Sequence, residues 1–260
     1  MKKVRLCEII KWILSVILIC ILLGVSIFYG KLSYIEYEPV WKADMQKKAI
    51  KEVAVKEENI SVSKDRVIDF QLLQQINEDV AGWIYIPDTS IDYPILIGST
   101  DTEYLEKDME GNKSRTGCIF ALSHANHNLS DARTLLFGHN MRQHTMFGEL
   151  KRYLEDDFRN THRKIYIYTE KWTMELEVFS VFVCTKTDDI FWKNPLIDSV
   201  DYQDLLLELD ERNQYMDIKK AGIEYYYHNQ MFSLITCKGN AGSSDRLVVN
   251  AIMTDNTYNA

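Results

Sequence analysis

Between Trp12 and Tyr29 the chain runs for 18 residues, WILSVILICILLGVSIFY, without a single charge. At about 1.5 Å per residue this makes a helix of roughly 27 Å, close to the hydrocarbon thickness of a bilayer. A helix packed on a soluble core keeps a polar stripe, whereas here only Ser15, Gly24 and Ser26 soften an apolar circumference. Trp12 and Tyr29 close the two ends, where an amphipathic ring can face lipid and water at once. The run therefore predicts a transmembrane helix over 12–29, and everything after it must fold on one side of a membrane.

The flanks set the direction. Lys2, Lys3, Arg5 and Lys11 precede the run, while Lys31 follows it ahead of Glu36 and Glu38. An excess of cations marks the cytoplasmic side, so the N-terminus is expected inside and the bulk of the chain outside. A cleaved signal peptide is the competing reading. No small-residue A-x-A site follows the run, and the run is long for a signal peptide's apolar segment, which favours an uncleaved signal anchor in the cell membrane.

The chain carries a net charge of −8, and its first eleven residues hold four cations against Glu8, so the remainder is more acidic still. An acidic exterior argues against nucleic acid and against anionic lipid surfaces as partners. With 46% hydrophobic and 12% aromatic residues, the exterior part can bury a core of its own. Five cysteines are present: Cys7 in the tail, Cys20 in the span, and Cys118, Cys184 and Cys237 outside. Three exterior thiols cannot all pair within the chain, and a free thiol in an oxidising compartment invites a functional explanation. For any one of them, a buried inert cysteine is the plain alternative.

Residues 31–65 are polar and charge-mixed, as in KKAIKEVAVKEEN, and read as a partly helical stalk. Asp69–Asp79 brings Phe70, Leu72, Leu73 and Ile76 roughly to one face and predicts a helix. The pattern then changes. GWIYIPDTSIDYPILIG gives two alternating apolar runs broken at Pro87-Asp88, and short strands are predicted at Gly117–Leu122, Thr134–Gly138, Lys164–Thr169, Met174–Thr185, Met231–Thr236 and Arg246–Ile252. Helices are predicted at Met146–Leu154 and Tyr202–Arg212. Many short strands with no βαβ rhythm predict a mostly β fold, a closed and largely antiparallel barrel with inserted helices. The expected order is a cytoplasmic tail at 1–11, an anchor at 12–29, a stalk at 30–65, a catalytic domain at 66–255 and a short tail at 256–260.

Three strand ends carry residues capable of chemistry. TLLFGHNM ends an apolar strand at Gly138 and presents His139, although a lone histidine is commonly a satisfied structural one. SLITC ends a strand on Cys237, beside the loop KGNAGSSD, where a thiol is open to substrate. DRLVVNAI begins a strand at Arg246, nine residues beyond Cys237, so hairpin pairing would bring guanidinium and thiol together. Asn140 and Ser233 read as structural. The HANH stretch with His124 and His127 reads as a polar turn, and neither a metal nor a cofactor is expected.

TLLFGHNM, LITC and RLVVNA, in this order, resemble the signature of the sortases, the cell-wall transpeptidases of Gram-positive bacteria. GWIYIPDTSIDYPI, MFGELKRY after the histidine, and the room between Cys184 and Met231 for a long helix are most similar to class B. Two positions differ from the usual pattern: Ile235 before Thr-Cys and Leu247 after the arginine. The resemblance implies a thiol peptidase of the hydrolase class that acts as a transpeptidase. Cys237 would be the nucleophile on a sorting-motif peptide, forming a thioester, with His139 as general acid and base. Arg246 would hold the substrate carbonyl or oxyanion, Thr236 would assist there, and an amine of peptidoglycan or its lipid-linked precursor would accept the acyl group. A sortase of another class, anchoring or pilin-polymerising, is one alternative, the latter usually carrying a second apolar span. A non-catalytic, membrane-tethered binding module is the other.

Overall fold

The structure, a computed structural model, describes residues 2–56, 66–193, 199–215, 229–239 and 242–259. The chain divides into two compact units, Met1–Lys42 and Ala43–Ala260. Helix α1, Lys2–Ala54, contributes to both. In the first unit the side chains from Trp12 to Tyr29 are exposed, and the helix is long and apolar enough to cross a membrane. The expected stalk residues 57–65 lie outside the described residues. The second unit starts at Ala43, well ahead of the domain start expected at 66.

That unit is built on eight strands: β3 (Val80–Tyr85), β4 (Asp92–Leu96), β5 (Ile119–Ala121), β6 (Arg133–Phe137), β7 (Lys164–Tyr168), β8 (Trp172–Thr185), β9 (Met231–Cys237) and β10 (Asp245–Tyr258). A short pair, β1 (Val55–Lys56) with β2 (Val67–Ile68), precedes them. The eight close into a barrel in the order β10-β8-β7-β3-β4-β5-β6-β9. All neighbours are antiparallel except β4 with β5 and β6 with β9, which run parallel. Closure leaves no free sheet edge, and alternation sends every second side chain inward. Ile84, Ile95, Ile119, Leu136, Ile167, Leu176, Leu234 and Val249, one from each strand, meet in a single interior cluster.

The outward residues are covered by helices. Leu135, Phe182, Ile235, Val248 and Ile252 face Tyr202, Leu205, Leu206 and Leu209 of α4 (Ser199–Glu211). Helix α2 (Phe70–Ile76), capped by the Asp69 side chain on the Leu72 N–H at 3.0 Å, inserts Phe70 and Leu73 against Trp83 and Tyr168. A third helix, α3 (Asp156–Thr161), has no counterpart among the predicted ones. The helix predicted at Met146–Leu154 is a 3₁₀ helix over Gly148–Leu154. Met146 takes φ +53°, outside any right-handed helix, so the turn starts only after it.

Two buried charge systems lock this frame. Under α4, Arg133 is fully buried: its Nε donates to Ser233 Oγ at 3.0 Å and its Nη1 to the Ile190 carbonyl at 2.7 Å. Ser233 Oγ donates on to Asn250 Oδ1 at 2.6 Å, and Ser180 Oγ donates to the Leu209 carbonyl in α4 at 2.8 Å. Burial pulls the Arg133 guanidinium down to about 10, still charged at neutral pH. On the other side, Asp92 accepts two bonds from Arg66, at 2.8 and 3.1 Å, and one from Trp83 Nε1 at 2.7 Å, and pairs with Lys51 at 2.8 Å. Lys47, one helical turn before Lys51, donates to the Ser90 carbonyl at 2.6 Å and lies over the Tyr93 ring. The end of α1 is thereby tied to the β3–β4 hairpin.

Burial alone would raise the Asp92 carboxyl, but Arg66, Lys51 and Trp83 together hold it below the ordinary range. An unfolded aspartate titrates near about 3.9, so this stabilisation is complete above that value and is lost as pH falls through the lower folded one. Replacing Asp92 by Asn, which removes the carboxylate that Arg66 and Lys51 pair with, is expected to lower stability by about 3–5 kcal/mol in denaturant titrations at pH 7. The gap between wild type and variant should shrink as pH falls below about 4. A constant gap across that range would contradict the assignment.

Candidate active site

Because β6 and β9 run parallel, they finish at the same rim of the barrel, and β10 starts there. Phe137 stands opposite Ile235 and the Gly138 N–H still donates to the Ile235 carbonyl at 3.2 Å, so His139 and Cys237 both follow at this rim. Arg246 is the cross-strand partner of Cys237, and Cys184 of β8 flanks Arg246 on its other side. Directly paired Cα atoms in an antiparallel sheet lie about 4.5–5.5 Å apart and send their side chains to one face. For Cys237, Arg246 and Cys184 that is the outer face, since Ile235, Val248 and Phe182, two residues along each strand, pack outside under α4. The structure thus brings Cys237 and Arg246 together and sets His139 at the neighbouring strand end. All three are partly exposed.

Backbone groups fix the imidazole. The His139 carbonyl accepts from Phe147 N–H at 3.0 Å, which closes the following loop. Its Nε2 lies 2.8 Å from the Leu105 carbonyl. A carbonyl only accepts, so Nε2 is the donor in this contact. Leu105 reaches this place because Gly117 lets two backbones touch. A Cβ at Gly117 would sit 2.6 Å from the Leu105 oxygen, and its φ of +57° suits glycine. A backbone carbonyl acting on the imidazole leaves no mark in the sequence.

Arg246 directs Nη1 to the carbonyls of Ser243, at 2.6 Å, and Asp245, at 3.2 Å, so the guanidinium is braced across the end of the β9–β10 loop. Thr236 was expected at the substrate or oxyanion. It lies on the opposite face from Cys237, opposite inward Leu247, is 2% exposed, and donates its hydroxyl to the Gly138 carbonyl at 2.8 Å. Alternation gives the reason: neighbours along a strand cannot share a face. Asn140, set aside as structural, donates its amide to the carbonyls of Cys237 at 2.8 Å and Gly239 at 3.2 Å.

The other exterior thiols differ in setting. Cys118 is buried, and burial, helped by Asp108, pushes its thiol up to about 12. Cys184 is pushed up to about 11, by burial first and then by Asp188. Ser123–Asp131, the stretch with His124 and His127, is a turn held by its own polar groups, Asn126 N–H donating to Asp131 at 2.8 Å.

The sequence matches the family model described as Sortase domain over residues 84–254, from within β3 into β10. It is 31% identical over 166 residues to sortase B of Listeria monocytogenes, covering 64% of this chain and 65% of that protein, so the match spans just under two thirds of that relative. The crystal structure of B. anthracis sortase B in complex with AAEK1 superposes with a TM-score of 0.70 at 30% identity, covering 85% of this chain and 98% of that one. The Staphylococcus aureus sortase B–substrate complex gives a TM-score of 0.66 at 26% identity, over 87% and 98%. With a domain match that takes in the strand ends just described and a barrel shared almost throughout, the chain belongs to the sortase family, and within it to class B.

Proposed function

We propose that this protein is a membrane-anchored cysteine transpeptidase that cuts a sorting motif in secreted proteins and joins them to an amine of the cell wall. The observation that carries the reading is the pairing of Cys237 with Arg246 on the outer rim, next to the strand end that bears His139. In this reading His139 takes the Cys237 thiol proton, the sulfur attacks a peptide carbonyl, the C–N bond breaks, and the acyl group stays on sulfur as a thioester. His139 gives a proton to the leaving amine and takes one from the incoming amine, whose nitrogen then displaces the thiol. Water in place of the amine gives hydrolysis, which would make the protein a thiol peptidase as well. Arg246, permanently charged, holds the substrate carbonyl while negative charge grows on its oxygen.

The Staphylococcus aureus sortase B–substrate complex supports a substrate for this rim, which in this proposal is the sorting-motif peptide. The amine of peptidoglycan or its lipid-linked precursor is the acceptor in this proposal. The apolar stretch of α1 and the cations before it support a single-pass anchor with the N-terminus inside and the barrel outside. Thr236 acts through Gly138 rather than on the substrate.

Replacing Cys237 by Ala should abolish processing of sorting-motif peptides, and His139→Ala should reduce it to near background. Either variant working at the wild-type rate sinks the mechanism. Arg246→Lys keeps the charge but loses the fork of donors; its rate should fall on the order of 10²–10³-fold, with thermal stability little changed. A second measurement separates enzyme from inert binding module. In the folded chain, iodoacetamide should modify Cys237 well before Cys118 and Cys184, whose raised titration leaves little thiolate at pH 7. Equally slow modification of all three, read by mass spectrometry, would favour the binding module.

A further inference from the structure

We propose that Asn140 is a positioning residue for the transfer reaction, setting the spacing between the imidazole of His139 and the sulfur of Cys237. This rests on the transpeptidase reading of the same rim. The parallel ladder between β6 and β9 ends with the Gly138 N–H donating to the Ile235 carbonyl at 3.2 Å. Past that rung, side chains carry the pairing. Thr236 Oγ1 donates to the Gly138 carbonyl at 2.8 Å from below the rim, and Asn140 Nδ2 donates to the Cys237 carbonyl at 2.8 Å from beyond it. A second bond from the same amide, 3.2 Å to the Gly239 carbonyl, holds the first turn of the β9–β10 loop. Both acceptors are carbonyls, so the amide must present its NH₂ to them, and no carboxylate could replace it.

Asn140 is itself held. Its backbone forms an isolated bridge with Met146, whose N–H donates to the Tyr93 hydroxyl at 3.0 Å. Met146 takes φ +53° and His144 φ +60°, so the loop after His139 is wound into a conformation that non-glycine residues seldom adopt. The residue next to the proposed acid–base group therefore reaches from a fixed loop to the backbone of the proposed nucleophile. Asn140 bonds the Cys237 carbonyl rather than its sulfur. It acts on where two reacting groups stand, and a misplacement of about 1 Å can reduce a rate on the order of 10²-fold.

The test compares the full chain in detergent micelles with Asn140→Ala, which removes the donor, and Asn140→Asp, which keeps the shape but turns carboxylate oxygens toward two carbonyls. Peptide transfer should lose about 10–100-fold in kcat in both variants, with KM within about twofold and melting temperature within a few degrees. The aspartate variant should be the slower. The pH profile of Cys237 alkylation by iodoacetamide, which needs no peptide, should move away from the wild-type profile in both. A kcat within twofold of wild type in either variant, or a loss that follows the unfolded fraction, overturns the proposal. Wild-type chain that modifies Cys237 readily but transfers no peptide overturns the transpeptidase reading instead, and the alkylation profiles then decide on Asn140 alone.

Discussion

The arrangement at the rim depends on one constraint, the parallel pairing of β6 with β9. Two antiparallel neighbours end at opposite rims, so their last residues are a strand length apart. Two parallel ones end together. Residues 98 positions apart in sequence, His139 and Cys237, are thereby placed at one level without any contact local to either. The antiparallel hairpin of β9 with β10 adds Arg246 at the same level. Ordinary backbone hydrogen bonding thus gathers all three, and side chains refine the result only where the ladder runs out.

Buried polar networks brace the barrel from its outer layers. The network from Arg133 through Ser233 to Asn250 joins β6, β9 and β10 beneath α4, toward the starts of β6 and β9. Polar groups buried this deeply fix one arrangement because each alternative would strand an unsatisfied donor. Across the barrel, Asp92 gathers Arg66, Trp83 and Lys51 around the β3–β4 hairpin. The same hairpin meets the loop after His139: Ser90 donates its hydroxyl to the His144 carbonyl and its N–H to Glu149. Gly148 allows that loop to turn so tightly, since a Cβ there would sit 2.4 Å from the Met141 oxygen.

Much of the fold was legible because period-2 alternation survives wherever one face is buried. The strand predicted at Lys164–Thr169 appears as Lys164–Tyr168, and the one at Met231–Thr236 as Met231–Cys237. The apolar face of Phe70, Leu72, Leu73 and Ile76 announced α2. Residues 148–154 were harder, because apolar spacing alone does not tell an α-helix from a 3₁₀ turn; the positive φ of Met146 set only where the helix could begin. The buried role of Ser233 was read correctly as structural, whereas Asn140 offered no sign that its amide would reach Cys237.

By itself the sequence determined an apolar run long enough to cross a membrane, the mostly β character of the rest, and the strand-end motifs with His139, Cys237 and Arg246, because these follow from local runs and periodicities. Only the tertiary structure decided that β6 and β9 pair in parallel, that Thr236 faces inward, that the Leu105 carbonyl orients the imidazole, and that the compact unit starts at Ala43. Each of these joins groups far apart along the chain, most of them through backbone atoms that every residue shares. Residue identity says little about such atoms until the fold has closed.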